Sequence, residues 1–253
     1  MNSIRDNLRV NRHDGWALIQ LDRAHKRNAL DRATRAGLIA VLRTLEGQAR
    51  AIVLTGSGTA FCAGLDLAER TADQAAGCDT GGAEWVDLNA AIRAHPAAFI
   101  AAVNGVALGG GVTLMNSCDL ALASTDASFA CPELSFGAYA SASGPTTQLS
   151  GIARKRAAWL LLTTDRLDAA TFERWGLLNE VTAPDALLPR AASLAQRLAG
   201  YDPFALAAVK RALDHIPAVI HDWRAGMEYG QRINADIRHH NNHTRPHTQE
   251  TTP

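Results

Sequence analysis

Short apolar runs alternate with amphipathic stretches as far as Gly144, and beyond it the pattern becomes almost wholly helical. Leu8 to Val10 and Trp16 to Leu21 flank His13-Asp14-Gly15, which predicts a β-hairpin. Asp31 stands where a cap would start a helix from Arg32 to about Gly47, with Leu38, Val41, Leu42 and Leu45 on one face. Ala51 to Thr55 has the unbroken apolarity of a buried strand, and Gly56-Ser57-Gly58 ends it. From Glu69 to Gly82 the chain carries hardly a large apolar side chain, so a mobile loop is expected there. Helical periodicity resumes from Trp85 to Ala94 and stops at His95-Pro96. Further strands are expected from Phe99, over Leu120 to Ala123 and over Ser128 to Ala130. Strands alternating with helices in this way imply βαβ units and a largely parallel sheet covered by helices.

Beyond Gly144, helices are expected over 152–163, 168–175, 184–198, 203–215 and 217–238, with Pro203 and Pro217 in first turns where proline is welcome. Such a helical end buries its apolar faces by folding back on the core or by joining a neighbouring subunit. His239 to Pro253 has no apolar periodicity and reads as a disordered polar tail. The expected organisation is therefore a core over 1–198, a helical region over 199–238 and the tail over 239–253.

Two glycine-bearing stretches break the pattern where backbone must come close to something. In Phe61-Cys62-Ala63-Gly64-Leu65-Asp66 a single glycine sits in a loop, and in Phe99 to Asp119 a strand gives way to a helix behind Gly109, Gly110 and Gly111. Three successive glycines cost backbone entropy where a capping side chain would ordinarily stand. A helix start leaves amides without intrahelical partners, so a ligand oxygen near Gly110 could be held by main chain alone. A glycine turn that packs a helix on a sheet is the other reading.

Composition narrows the partners. Lys and Arg together number 25, as do Asp and Glu, so no basic field suggests nucleic acid. Cys62, Cys78, Cys118 and Cys131 are too far apart for a C-x-x-C pair and read as reduced thiols. The amino terminus lacks an apolar signal core, and no apolar run approaches the roughly 20 residues of a membrane span, so a cytoplasmic protein is expected. A Rossmann nucleotide site and an α/β-hydrolase elbow both fail, because neither G-x-G-x-x-G nor G-x-S-x-G occurs at the right place.

Asn28-Ala29-Leu30, Phe61 to Leu67, Asn104 to Gly111 with Cys118-Asp119, and Phe129 to Leu134 with Gly137 together resemble the enoyl-CoA hydratase/isomerase, or crotonase, superfamily. The resemblance runs in the family's order from about Leu8 to Ala212. It implies an α/β spiral of ββα repeats with a C-terminal helical trimerisation region, a homotrimer or dimer of trimers, and acyl-CoA thioesters as substrates. No cofactor is implied, CoA being part of the substrate.

By matching positions, the amides of Leu65 and Gly110 would form an oxyanion hole, and Glu133 would be the acid/base. Hydratases of the family carry a second glutamate two residues after the glycine run, where this chain has Thr113. A hydroxyl of ordinary acidity cannot replace that carboxylate, although it can hold a water. Double-bond isomerases of the family have the single carboxylate. CoA would run along Lys26, Arg27, Ala29, Leu30, Ala63 and Asp66, and the acyl group would meet Thr113, Phe136, Tyr139 and Ser141, with Ser143 in the same segment. Lys210 resembles a lysine common near the family's C-terminus, whereas the usual basic, aromatic ending is missing after Met227-Glu228-Tyr229.

The resemblance thus favours an enoyl-CoA isomerase with one glutamate. A hydratase or dehydratase in which Thr113 holds the water is the alternative within the class, and a noncatalytic acyl-CoA or RNA-binding relative the alternative outside it.

Overall fold

The computed structural model describes residues 3–5, 7–77 and 81–244. In chain order it contains β1 (Ser3–Arg5), β2 (Leu8–Arg12), β3 (Trp16–Leu21), α1 (Arg32–Leu45), β4 (Ala51–Gly56), β5 (Ala60–Cys62), α2 (Leu67–Ala75), α3 (Gly81–Ala94), β6 (Ala98–Val103), β7 (Val106–Leu108) and α4 (Gly110–Asn116). There follow β8 (Leu120–Ser124), β9 (Ser128–Ala130), α5 (Ser143–Leu149), α6 (Arg154–Thr163), β10 (Leu167–Asp168), α7 (Ala169–Trp175), β11 (Glu180–Thr182), α8 (Leu187–Ala199), α9 (Pro203–Val219) and α10 (Trp223–Thr244). Short 3-10 turns occupy Ala24–Lys26 and Pro132–Phe136.

Seven strands form one sheet in the order β1-β2-β3-β4-β6-β8-β11, and four form a second in the order β10-β9-β7-β5. From β3 to β11 the large sheet is parallel; β2 pairs antiparallel with β3 as the expected hairpin, and β1 adds a further antiparallel edge strand. Each pair β4-β5, β6-β7 and β8-β9 takes one strand from each sheet, which builds a spiral of repeats and stacks the strand-end turns above one another.

Continuous apolarity in β4 and β6 follows from burial on both faces. Ile52 and Leu54 join the main core with Phe61, Phe99 and Leu114, while Ala51, Val53, Ile100 and Ala102 face the other way onto Leu187, Ala191, Leu194 and Ala195 of α8. Each fully buried large aliphatic contributes about 1.5–3 kcal/mol. Asp31 caps α1 as expected, its side chain accepting from the Thr34 amide.

Three expectations are corrected. The segment expected to be a mobile loop instead forms α2 and the start of α3, with residues 78–80 outside the described residues. Pro217 lies inside α9 rather than opening the next helix; lacking an N–H, it leaves the Leu213 carbonyl without its helical donor, and α9 ends two residues later. The break is completed by Asp222, which accepts from the Ala225 amide and starts α10. Finally, α10 continues to Thr244, so residues 239–244 of the expected tail are helical, and residues 245–253 lie outside the described residues.

The chain divides into one unit ending at Gly200 and a second beginning at Tyr201. In the second unit α9 and α10 pair through stacked rings, Phe204 on His240 at 4.2 Å and His215 on Tyr229 at 4.7 Å. Val209, Leu213 and Ile216, at helical spacing on α9, stay exposed, whereas Lys210 is buried. Among the described residues no helix is long and apolar enough to cross a membrane.

Candidate active site

Two asparagines, Asn28 buried and Asn104 partly exposed, shape the loops above the parallel strands. Asn28 sits in the left-handed region at φ 56°, which asparagine tolerates better than most residues. Its amide donates to the Ser57 and Ala60 carbonyls at 2.9 and 2.7 Å, and its oxygen accepts from the Arg23 amide at 2.9 Å. Asn104 grips the same turn from the other side, donating to the Gly58 carbonyl at 2.9 Å and accepting from the Gly56 amide at 3.0 Å.

This network stitches the 26–30 segment to the 63–66 segment. Ala63 N–H donates to the Arg27 carbonyl at 3.0 Å, Leu30 N–H to Gly64 at 2.8 Å, and Asp66 N–H to Leu30 at 3.3 Å. Lys26 and Arg27 are exposed, whereas Ala29 and Leu30 are buried. Asp66 is engaged within the protein: its carboxylate pairs with Arg23 at 3.0 Å and caps α2 through the Ala68 and Glu69 amides. Burial alone would raise its pKa, but the Arg23 guanidinium and the two amides hold it below the usual carboxylate range.

Gly64 and Gly110 bring two loops into backbone contact. A Cβ built on Gly64 would lie 2.9 Å from the Gly110 nitrogen, and one on Gly110 would lie 3.1 Å from Gly64 Cα and 2.6 Å from the Trp85 ring. Gly64 also has φ +87°, so glycine is required there twice over. Leu65 and Gly110, both partly exposed residues, thereby have neighbouring amides, and among the described residues neither amide donates to a protein acceptor. Trp85, the residue of α3 that walls this point, is buried, and its indole N–H has no partner among the described residues.

Glu133 reaches the same place from the 3-10 turn that follows β9. That turn is fixed by Pro132 at its first position and by Gly137, in the left-handed region, at its end. Ala130 accepts from the Gly109 amide at 2.9 Å, tying β9 to the glycine run. Glu133 is half-buried; its Oε1 accepts from the Ser143 hydroxyl at 3.2 Å, while its Oε2 is buried and has no partner among the described residues. Thr113, one turn into α4, is buried, and its hydroxyl points back to the Gly109 carbonyl at 3.5 Å.

The remaining expected pocket residues lie further out. Phe136, Tyr139 and Ser141 are exposed. Tyr139 helps to line a cavity of about 390 Å³ with Leu134, Gln148, Arg154, Leu161 and Leu162, and Glu133 is not among its walls. The structure therefore gathers Leu65, Gly110, Thr113 and Glu133 closely, and places the apolar outer residues on the adjoining surface.

Arg35 had no signal in the sequence pattern. Almost fully buried in α1, it donates to Glu69 at 2.7 Å and to Glu84 at 2.6 Å, and so ties α2 and α3 to α1. Arg32 adds ion pairs to Asp73 and Glu84. Hydrogen bonding from Arg35, and then from Arg32, holds the Glu84 carboxyl below its usual range against the opposing effect of burial. Glu69 and Glu84 are thus docking residues. Ser143 was visible only as a member of the acyl segment, since its partner Glu133 is ten residues away and reached through a turn.

The family described as enoyl-CoA hydratase/isomerase matches residues 11–243. A probable enoyl-CoA hydratase of Rhizobium meliloti is 36% identical over 78% of this chain and 77% of its own length. The 2,3-dehydroadipyl-CoA hydratase of Escherichia coli is 33% identical over 81% and 80%. Among solved structures, an enoyl-CoA hydratase from Polaromonas superimposes with a TM-score of 0.85 at 26% identity, covering 93% of each chain.

Proposed function

Because the chain belongs to the enoyl-CoA hydratase/isomerase family, we propose that it shifts the double bond of a 3-enoyl-CoA thioester, with Glu133 as the only acid/base. One observation carries this reading: Glu133 is the carboxylate beside the glycine run, and the buried residue one turn into α4 is Thr113.

The chemistry needs one base and one anion hole. Glu133 takes a proton from C2 as the C–H bond electrons form a C1–C2 double bond and the carbonyl π electrons move onto the thioester oxygen. The Leu65 and Gly110 amides, aimed at that oxygen, stabilise the dienolate; losing one such donor costs on the order of 10²–10³ in rate. The carboxylic acid then returns its proton to C4, the negative charge leaves the oxygen, and the double bond ends between C2 and C3. No water enters, so a second carboxylate is unnecessary.

The stitched segments 26–30 and 63–66 offer CoA a backbone-lined track with Lys26 and Arg27 exposed for its phosphates. Asp66 contributes backbone alone to that track, its carboxylate being held by Arg23. The exposed stripe of Val209, Leu213 and Ile216 supports self-association into trimers.

The names of the relatives favour a second reading, hydration of a 2-enoyl-CoA with Thr113 holding the water. The two are separated by assaying 3-enoyl-CoA isomerisation beside 2-enoyl-CoA hydration. Isomerisation is expected to dominate, and Glu133→Gln to lower it by roughly 10²–10⁴-fold. Full activity of Glu133→Gln in both assays overturns the lone-base reading, and dominant hydration selects the second.

A further inference from the structure

The two oxygens of Glu133 have different surroundings. Oε1 lies between two groups: the Ser143 hydroxyl at 3.2 Å and the face of Gly109, where a built Cβ would fall 2.5 Å from it. Oε2 lies farther from that same point, at 3.7 Å, and is buried without a partner among the described residues. An ionised carboxylate accepts at both oxygens, so leaving one empty in a buried place is costly unless another group is meant to occupy it.

Ser143 is well placed to hold its hydroxyl in one direction. It is buried, with 1% of its surface exposed, at the first position of α5. The Cys131 thiol lies beside it, and burial pushes that thiol up to about 12 against the lowering effect of the Ser143 hydroxyl. At 3.2 Å the Ser143 contact is long for an O–H···O bond, as catalytic hydrogen bonds often are before substrate closes the site.

We propose that Ser143 is a positioning residue for the reaction: by holding Oε1 it turns Oε2 toward the substrate, so that one oxygen both removes and returns the proton. The inference deepens the lone-base reading and rests on it. A carboxylate held by one oxygen cannot rotate between removing the proton at C2 and delivering it at C4. The same atom is presented to both carbons, which a reaction with a single base requires.

The test compares wild type with Ser143→Ala, Ser143→Thr, Ser143→Cys and Glu133→Gln in the isomerisation and hydration assays, with melting curves for each. Ser143→Ala is expected to lower kcat about tenfold, the scale of one lost hydrogen bond, with KM within about twofold because substrate binding is untouched. Ser143→Thr restores the hydroxyl and should recover most of that loss. If Ser143→Ala melts below the assay temperature, the nearly isosteric Ser143→Cys, a weaker donor, replaces it and should also lose kcat. Wild-type kcat in the hydroxyl-free variant overturns the inference, as does a Ser143→Thr no better than Ser143→Ala when both melt like wild type. An active Glu133→Gln instead removes the lone-base reading itself, so the two failures are distinguished.

Discussion

Glu133 Oε1 occupies the space into which a side chain on Gly109 would grow. Gly109 also has φ +48° and ψ −109°, a conformation that L side chains rarely adopt. Gly109→Ala therefore strains the backbone by about 1–2 kcal/mol and displaces the carboxylate. The expected result is a folded protein with kcat reduced on the order of 10²-fold, since misplacing a reacting group by an ångström has that effect. Melting curves and steady-state kinetics check it, and a wild-type kcat would show that the carboxylate is not fixed from this side.

Thr113 distinguishes the two chemistries by a small change. Thr113→Val keeps the shape but removes the hydroxyl that now turns to the Gly109 carbonyl. Isomerisation through Glu133 should stay within about twofold of wild type, whereas hydration dependent on a water held by Thr113 should fall about tenfold. Parallel assays on the two enoyl-CoA isomers measure both.

Asn28 is expected to matter more for stability than its loop position suggests. Replacing it by Ala leaves the Ser57 and Ala60 carbonyls and the Arg23 amide without their side-chain partners, and alanine is poorly suited to φ 56°. Asn28→Ala should cost about 2–4 kcal/mol. Chemical denaturation reads this directly, and a change under about 0.5 kcal/mol would mean that water replaces the lost bonds.

Acid should weaken the protein through Asp66 and Glu84. Both carboxyls lie below their usual range in the folded chain, so the unfolded chain binds more protons as the pH falls. Their contribution is complete above the unfolded values near 4 and is lost as the pH drops through the lower folded values. Melting temperatures should hold from pH 7 to 5 and decline below about 4. Glu84→Gln should start lower at neutral pH and decline less steeply; identical slopes would exclude Glu84 from the effect.

What the sequence made legible was local. The cap at Asp31, the apolar strands β4 and β6 and the glycine run ahead of a helix are each written within a few residues, and each appears in place. The order of strands and helices then implied the parallel sheet. What was illegible depends on partners far along the chain. The 69–82 segment looked unable to order itself because the anchors that dock its helices are Glu69 and Glu84, reaching Arg35 from 34 and 49 residues away. The end of α10 was hidden for a similar reason: His240 stacks on Phe204, a contact with no apolar period to announce it. In the site, Glu133 and the paired glycines could be named from motifs, whereas the hydroxyl of Ser143 acquires its direction only through tertiary placement.

The helix directly after Leu65 is attached to the protein in an unusual way. Among its described side chains α2 buries no large apolar group; Leu67 is exposed, and the helix is held by Glu69 and Asp73 on Arg35 and Arg32 and by its Asp66 cap. Ionic strength, which leaves apolar packing largely intact, thus acts selectively on this one element. In molar sodium chloride the amides of α2 should exchange with deuterium faster than in dilute buffer while those of α1 do not. One flank of the Gly64-Leu65 loop then loosens with salt in a protein whose core ignores it.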